Sequence, residues 1–188
     1  MTLLAVGVLL FTLVHLALAI APEFADGAKS RFGEGAVKGV VSVLSLAGIV
    51  LIVLGWRSAQ AHTIYAPAYE WRIYASLLVV FGLYLMVVAS RASVLKRRIR
   101  HPQLTGLLLW AVAHLLMNGD SRSVVLFGGL GCWAVLEILL INRRDRNWIE
   151  PGAPGLPVEA VNVIITLAVT ALLVWAHPWI AGVPVLSS

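Results

Sequence analysis

Six apolar runs, separated by short polar connectors, pattern the chain: Leu3 to Ala21, Val40 to Trp56, Ile73 to Ala89, Leu104 to Met117, Val124 to Ile141 and Val158 to Ala176. A membrane crossing takes roughly 20 apolar residues, so each run reads as a transmembrane helix. The fourth is short for a span, but Pro102 is placed to be the first residue of its helix and His101 its cap. No convincing repeat or low-complexity tract occurs, and Asn142 to Pro157, with Pro151, Gly152, Pro154 and Pro157, reads as a connector. The expected fold is all-α: one domain over residues 1–188, a polytopic bundle of six transmembrane helices.

Composition sharpens this reading. Hydrophobic residues make up 60% of the chain and charged residues 12%, with a mean hydropathy of +0.92, far from the roughly 25% charge of soluble domains. The net charge of +5 does not point to nucleic acid, because the Lys and Arg sit in short loops between apolar spans, where they set topology. Loops one, three and five carry Lys29, Arg31 and Lys38, then Arg91, Lys96, Arg97, Arg98 and Arg100, then Arg143, Arg144 and Arg146; the other side carries Arg57, Arg72 and Arg122. The positive-inside rule then puts the odd loops in the cytoplasm and both termini outside, on the periplasmic face of a bacterial inner membrane. Ala19-Ile20-Ala21 mimics a signal-peptidase site, but no Lys or Arg precedes the run, so the first segment is expected to stay as a helix. The single cysteine, Cys132, excludes an intramolecular disulfide.

Polar residues inside the spans are the candidate chemistry. His15 lies in the first and His114 in the fourth, and a histidine in a hydrocarbon-like segment is costly unless both ring nitrogens are satisfied. One reading joins them through the iron of a tetrapyrrole, since neutral imidazole is a common haem ligand and brings no buried charge. The other has each histidine bridging neighbouring hydroxyls or carbonyls to help helices pack. No Cys-x-x-Cys-His occurs, so covalent haem attachment is not expected. Trp110 shares the His114 stripe, four residues before it, as a packing residue or pocket wall. Ser42, Ser45 and Gly48 recur at about helical spacing, and Gly128, Gly129, Gly131 and Cys132 cluster on the fifth helix; such faces admit a neighbouring helix or a flat ligand. A second polar group, Arg100, His101, Gln103, Glu137 and Glu159, is expected near the inner surface, with the run Lys96 to Arg100 touching anionic membrane lipids.

His101-Pro102-Gln103-Leu104-Thr105-Gly106, Leu109-Trp110-Ala111-Val112-Ala113-His114-Leu115-Leu116, Asn118-Gly119-Asp120 and Phe127-Gly128-Gly129 resemble the signature of the NnrU family. Leu13-Val14-His15-Leu16, Arg31-Phe32-Gly33-Glu34-Gly35, Ser42 to Gly48 and Gly55-Trp56 extend the resemblance over nearly the whole chain. It implies a bacterial multispanning protein associated with nitrite and nitric oxide reduction, and kinship with 15-cis-zeta-carotene isomerase, in which haem b is thought to act after a redox-linked ligand change. Carried over, it makes His15 and His114 the axial ligands of haem b; Trp110, Ser45 and Gly48, picked out by their spacing, are expected to line the cofactor. The isomerase's alternative cysteine ligand, three residues before the second histidine, matches Ala111, which puts the ligand switch in doubt. The functions that follow are a haem b protein acting in respiratory nitrogen-oxide metabolism or as cis-trans isomerase of a hydrophobic small molecule, and two alternatives. Arg100-His101-Pro102 with Gly106 also resembles the start of the motif of S-adenosylmethionine-dependent membrane methyltransferases, though Leu104 replaces the usual tyrosine and the paired glutamates are absent. A non-enzymatic accessory factor of a respiratory complex is the third reading.

Overall fold

In the computed structural model the first apolar run forms α1 (Thr2–Ile20), which ends at Ala21 because Pro22 disfavours helical backbone in the residue before it. Described residues are 1–152 and 154–185; Ala153 of the connector and the last three residues of the expected domain lie outside them. Pro22 opens a short helix, α2 (Pro22–Phe32), which the apolar pattern did not announce because it is charged and only 11 residues long. Gly33, at φ +87°, turns the chain into α3 (Glu34–Ser58), a conformation that favours glycine. Then follow α4 (Trp71–Ala89), a 3-10 turn at Val94–Arg97, α5 (Pro102–Met117), α6 (Ser121–Arg144) and α7 (Leu156–Ala181).

Among the described residues the fold is all-α, relieved by one isolated bridge, Thr63 to Asp120. Five helices, α1, α3, α4, α6 and α7, are long and apolar enough to cross a membrane. The expected sixth, α5, begins at Pro102 as the sequence predicts but has 16 residues, about 24 Å at 1.5 Å per residue, short of a hydrocarbon core of about 30 Å. Its partner α6 is continuous through a π-helical stretch, Val124–Gly128, where one extra residue per turn re-aims the side chains.

The order of packing around the bundle is α3, α1, α6, α5, α4, α7, with α7 returning to α3. α3 and α7 meet at one end, where the Trp56 indole donates to the Ala181 carbonyl at 3.0 Å and Arg57 to that of Trp179 at 3.0 Å. Two antiparallel hairpins cross on glycine. A Cβ on Gly7 would stand 2.6 Å from the Ile52 backbone nitrogen, and one on Gly82 2.7 Å from the Gly106 carbonyl oxygen. Without a hydrophobic force between helices in lipid, such close backbone approach is what holds them. Leu4, Val8, Ala111, Leu126, Phe127, Leu130 and Trp133 form the core where α1, α5 and α6 meet. Val43, Leu46, Leu77, Ile164 and Leu167 point outward and exposed, the surface that lipid solvates.

Candidate functional site

α6 is the ruler for the two histidines. Val8 of α1 faces Gly129 while His15 faces Trp133, so α1 runs parallel to α6; Ala111 of α5 faces Gly131 while His114 faces Phe127, so α5 runs antiparallel to it. The histidines therefore belong to helices of opposite direction, and their partners on α6 are six residues, about 9 Å, apart.

The two sites share one local design. His15 Nδ1 is 2.7 Å from the Phe11 carbonyl oxygen and His114 Nδ1 2.8 Å from that of Trp110, in each case the residue four before it. Because a carbonyl only accepts, Nδ1 must carry the proton, and the neutral ring keeps a free lone pair on Nε2. Each ring is also covered by that same residue's aromatic side chain, at 4.6 Å between centroids for Phe11 with His15 and 4.6 Å for Trp110 with His114. α6 closes the other side: Trp133 meets His15 edge-on at 5.3 Å, and Phe127, buried on the π-helical stretch, stacks on His114 at 4.4 Å. Trp56 of α3 completes this wall against Phe127 at 5.9 Å, and the Arg122 guanidinium lies 4.7 Å over the Trp56 ring.

Trp110 is thus in place beside His114. Gly48 is buried where α1 crosses, with Phe11 3.1 Å from the position a Cβ would take. Ser45, one turn away, falls at the level of His15 in that antiparallel register, and its Oγ is buried without a hydrogen-bond partner among the described residues. Phe11 and Trp133 were not singled out from the sequence, and Phe127 entered only as part of the Phe127-Gly128-Gly129 signature. The aromatic four residues before each histidine was a readable signal for Phe11; nothing in the sequence marked the other two as facing the rings.

The donor chemistry of the two imidazoles is of the kind that haem iron takes. Two neutral imidazoles offer Nε2 lone pairs, their tautomers are fixed by backbone carbonyls as axial ligands require, and the walls are aromatic. No group of three or more His, Cys, Asp or Glu residues able to hold a bare metal ion occurs among the described residues. Ala111 packs against Gly131 and offers no donor atom, and Cys132 is exposed elsewhere on α6.

The expected polar group near the inner surface divides into three. Glu159 accepts from Tyr84 Oη at 2.5 Å and from the Val94 amide, beside the fully buried Asn162, whose side chain binds Arg91 Nε at 2.7 Å and the Ala92 carbonyl at 2.9 Å. His101 occupies the N-cap position of α5 without capping it by its side chain; its ring reaches Asn142 at 2.8 Å, while Arg100 binds the Asp145 carbonyl. Glu137 is buried and takes the Trp133 indole N–H at 3.2 Å, which joins it to the His15 side of the core.

At the opposite end a polar cover lies over the end of α5. Ile64 and Tyr65 amides bind the Gly119 carbonyl at 2.8 and 3.0 Å, and the Tyr65 hydroxyl binds that of Leu115 at 2.5 Å. Burial, with the Asp120 charge second, raises the Tyr65 pKa. Asp120 caps α6 through the Arg122 and Ser123 amides and the Ser123 hydroxyl; burial pushes its carboxyl up, but those hydrogen bonds and the Arg122 charge outweigh it and hold the pKa below the ordinary value.

Compared with known proteins, residues 3–185 match the family model described as NnrU protein. No curated protein and no solved structure matches the chain.

Proposed function

The chain belongs to the NnrU family, and from that premise we propose that it is an integral membrane haem b protein whose iron is held by His15 and His114. The observation that carries this reading is the duplicated histidine setting: Nδ1 on the carbonyl of an aromatic residue four positions back, that residue's ring over the imidazole, and Nε2 without a hydrogen-bond partner among the described residues. Trp110 serves as a wall, Gly48 admits the close crossing of α1 that carries His15, and the Ser45 hydroxyl, without a partner among the described residues, would satisfy a polar group of the cofactor.

Bound haem supplies one-electron chemistry. The chain's part is to fix both tautomers, exclude water with Phe11, Trp110, Phe127 and Trp133, and anchor the ligand helices on α6. With Ala111 in place of a thiol, a bis-histidine redox centre is the reading we favour over one in which a ligand leaves to expose iron to a hydrophobic polyene. We read the Lys and Arg count as both termini outside and six crossings, α5 being the short one, in a bacterial inner membrane, and the resemblance as an association with nitrite and nitric oxide reduction.

Titrating the purified, haem-depleted protein with haem tests this through tryptophan emission. Trp110 and Trp133 lie within 5.3 Å of the histidines, so stoichiometric haem is expected to quench their emission strongly. Quenching that remains stoichiometric in a His15→Ala/His114→Ala double variant would reject the ligand assignment.

A further inference from the structure

Where α1 ends, α3 begins and α6 ends, a cavity of about 680 Å³ opens at the membrane-surface end of the bundle, apart from the histidine site. Its floor is apolar, with Leu18, Val37 and Val41 among the residues lining it, and Lys29, Lys38 and Arg144 converge on it from three helices. Two carboxylates, Asp26 and Asp145, also line it. Those carboxylates belong to exposed pairs, Lys29 with Asp26 at 2.7 Å and Arg144 with Asp145 at 2.8 Å, and Lys38 pairs with Glu34 at 2.7 Å. The two lysine pairs are exposed single contacts of the weak kind, for which a phosphate can compete, while Arg144 holds Asp145 through two hydrogen bonds at 2.9 and 2.8 Å.

α2 forms one wall. It leaves α1 at Pro22, returns at Gly33, buries Ala25, and exposes Phe24 and Phe32 at 79% and 65%. An 11-residue helix between two membrane-length helices with aromatic side chains bare on its outer face is built to lie in the headgroup layer. Cations above an apolar floor at that depth match one class of ligand: a phosphate ester carrying acyl chains.

We propose that this cavity binds one anionic phospholipid, its phosphate between Lys29, Lys38 and Arg144 and its acyl chains along Leu18 and Val41. The proposal is independent of haem and rests on different residues.

Native mass spectrometry of the detergent-purified full chain tests it, with phosphatidylglycerol and phosphatidylcholine of identical acyl chains as probes. The wild type is expected to retain phosphatidylglycerol preferentially, and Lys29→Gln/Lys38→Gln/Arg144→Gln to lose at least ten-fold in its occupancy. Lys96→Gln/Arg97→Gln/Arg98→Gln, which removes equal charge from another basic loop, is expected to stay within two-fold of wild type. Val41→Trp, which fills the floor and leaves every charge, is expected to expel the lipid as well. Equal retention of both lipids by wild type, equal loss in the two triple variants, or full retention in Val41→Trp would each overturn the assignment. So would displacement by equimolar inorganic phosphate, which would mean that a free anion suffices.

Discussion

Substituting Gly82 by alanine strikes the crossing that carries α5, and with it His114. The added Cβ would lie 2.7 Å from the Gly106 carbonyl oxygen, 0.7 Å inside the 3.4 Å at which ordinary contact begins. Backbone, not a flexible side chain, is the obstacle, and Gly106 meets the Gly82 carbonyl in the same way. The helices must therefore part, and contacts are lost along the α4–α5 seam. Overpacking costs about 1–3 kcal/mol, and the gain from replacing a helical glycine by alanine returns about 0.5–1 kcal/mol; with backbone on both sides of the contact the upper part of the overpacking range applies, for a net loss of about 1–2.5 kcal/mol. Reversible unfolding in mixed detergent micelles, followed by circular dichroism, measures it. Gly39→Ala is the control: it lies in α3 with nothing within 4 Å of the new Cβ, so only the propensity gain applies. Gly82→Ala as stable as wild type, or Gly39→Ala equally damaged, would refute the close-crossing argument.

Three further outcomes follow from the polar contacts. Asp120→Ala removes the cap of α6 and is expected to cost about 0.5–2 kcal/mol at pH 7. Since the Asp120 pKa is lower folded than unfolded, its contribution is complete above its ordinary value of 3.8 and disappears as pH falls through the folded value. Unfolding curves of wild type and variant should thus converge only in acid; a constant gap down to pH 2 contradicts this. Asn162→Ala leaves Arg91 and the Ala92 carbonyl unpartnered around a fully buried position, for an expected loss of about 1–3 kcal/mol by the same unfolding assay. Tyr65→Phe is expected to speed hydrogen exchange of the Ile64 and Tyr65 amides by releasing the cover from the end of α5, while exchange at Arg91 to Arg97 stays unchanged.

Hydropathy and proline placement made the spans legible, because runs of Leu, Val and Ala with charges only at their ends have one solution in lipid. Pro102 announced the start of α5 for the same local reason. His15, His114 and Trp110 could be picked out because a polar ring in an apolar run is costly and a four-residue spacing is a local fact. What stayed hidden depends on register between helices. Gly82 and Gly106 become informative only once α4 and α5 are known to cross there. Glu137 and Glu159 looked like members of one surface group with His101, yet Trp133 draws one inward and Tyr84 and the Val94 amide fix the other. The π-helical stretch that aims Phe127 at His114 has no periodicity of its own, and α2 was too short and too charged to register as a helix.

The central claim is that His15 and His114 hold one iron. Absorption spectra of the haem-loaded protein, oxidised and then reduced, test it most directly. A sharp Soret band with the split visible bands of six-coordinate low-spin haem in both states, lost or converted to high spin in His15→Ala and in His114→Ala alike, is the result expected. No Soret band after expression with ample haem, or spectra unchanged in both variants, would contradict it.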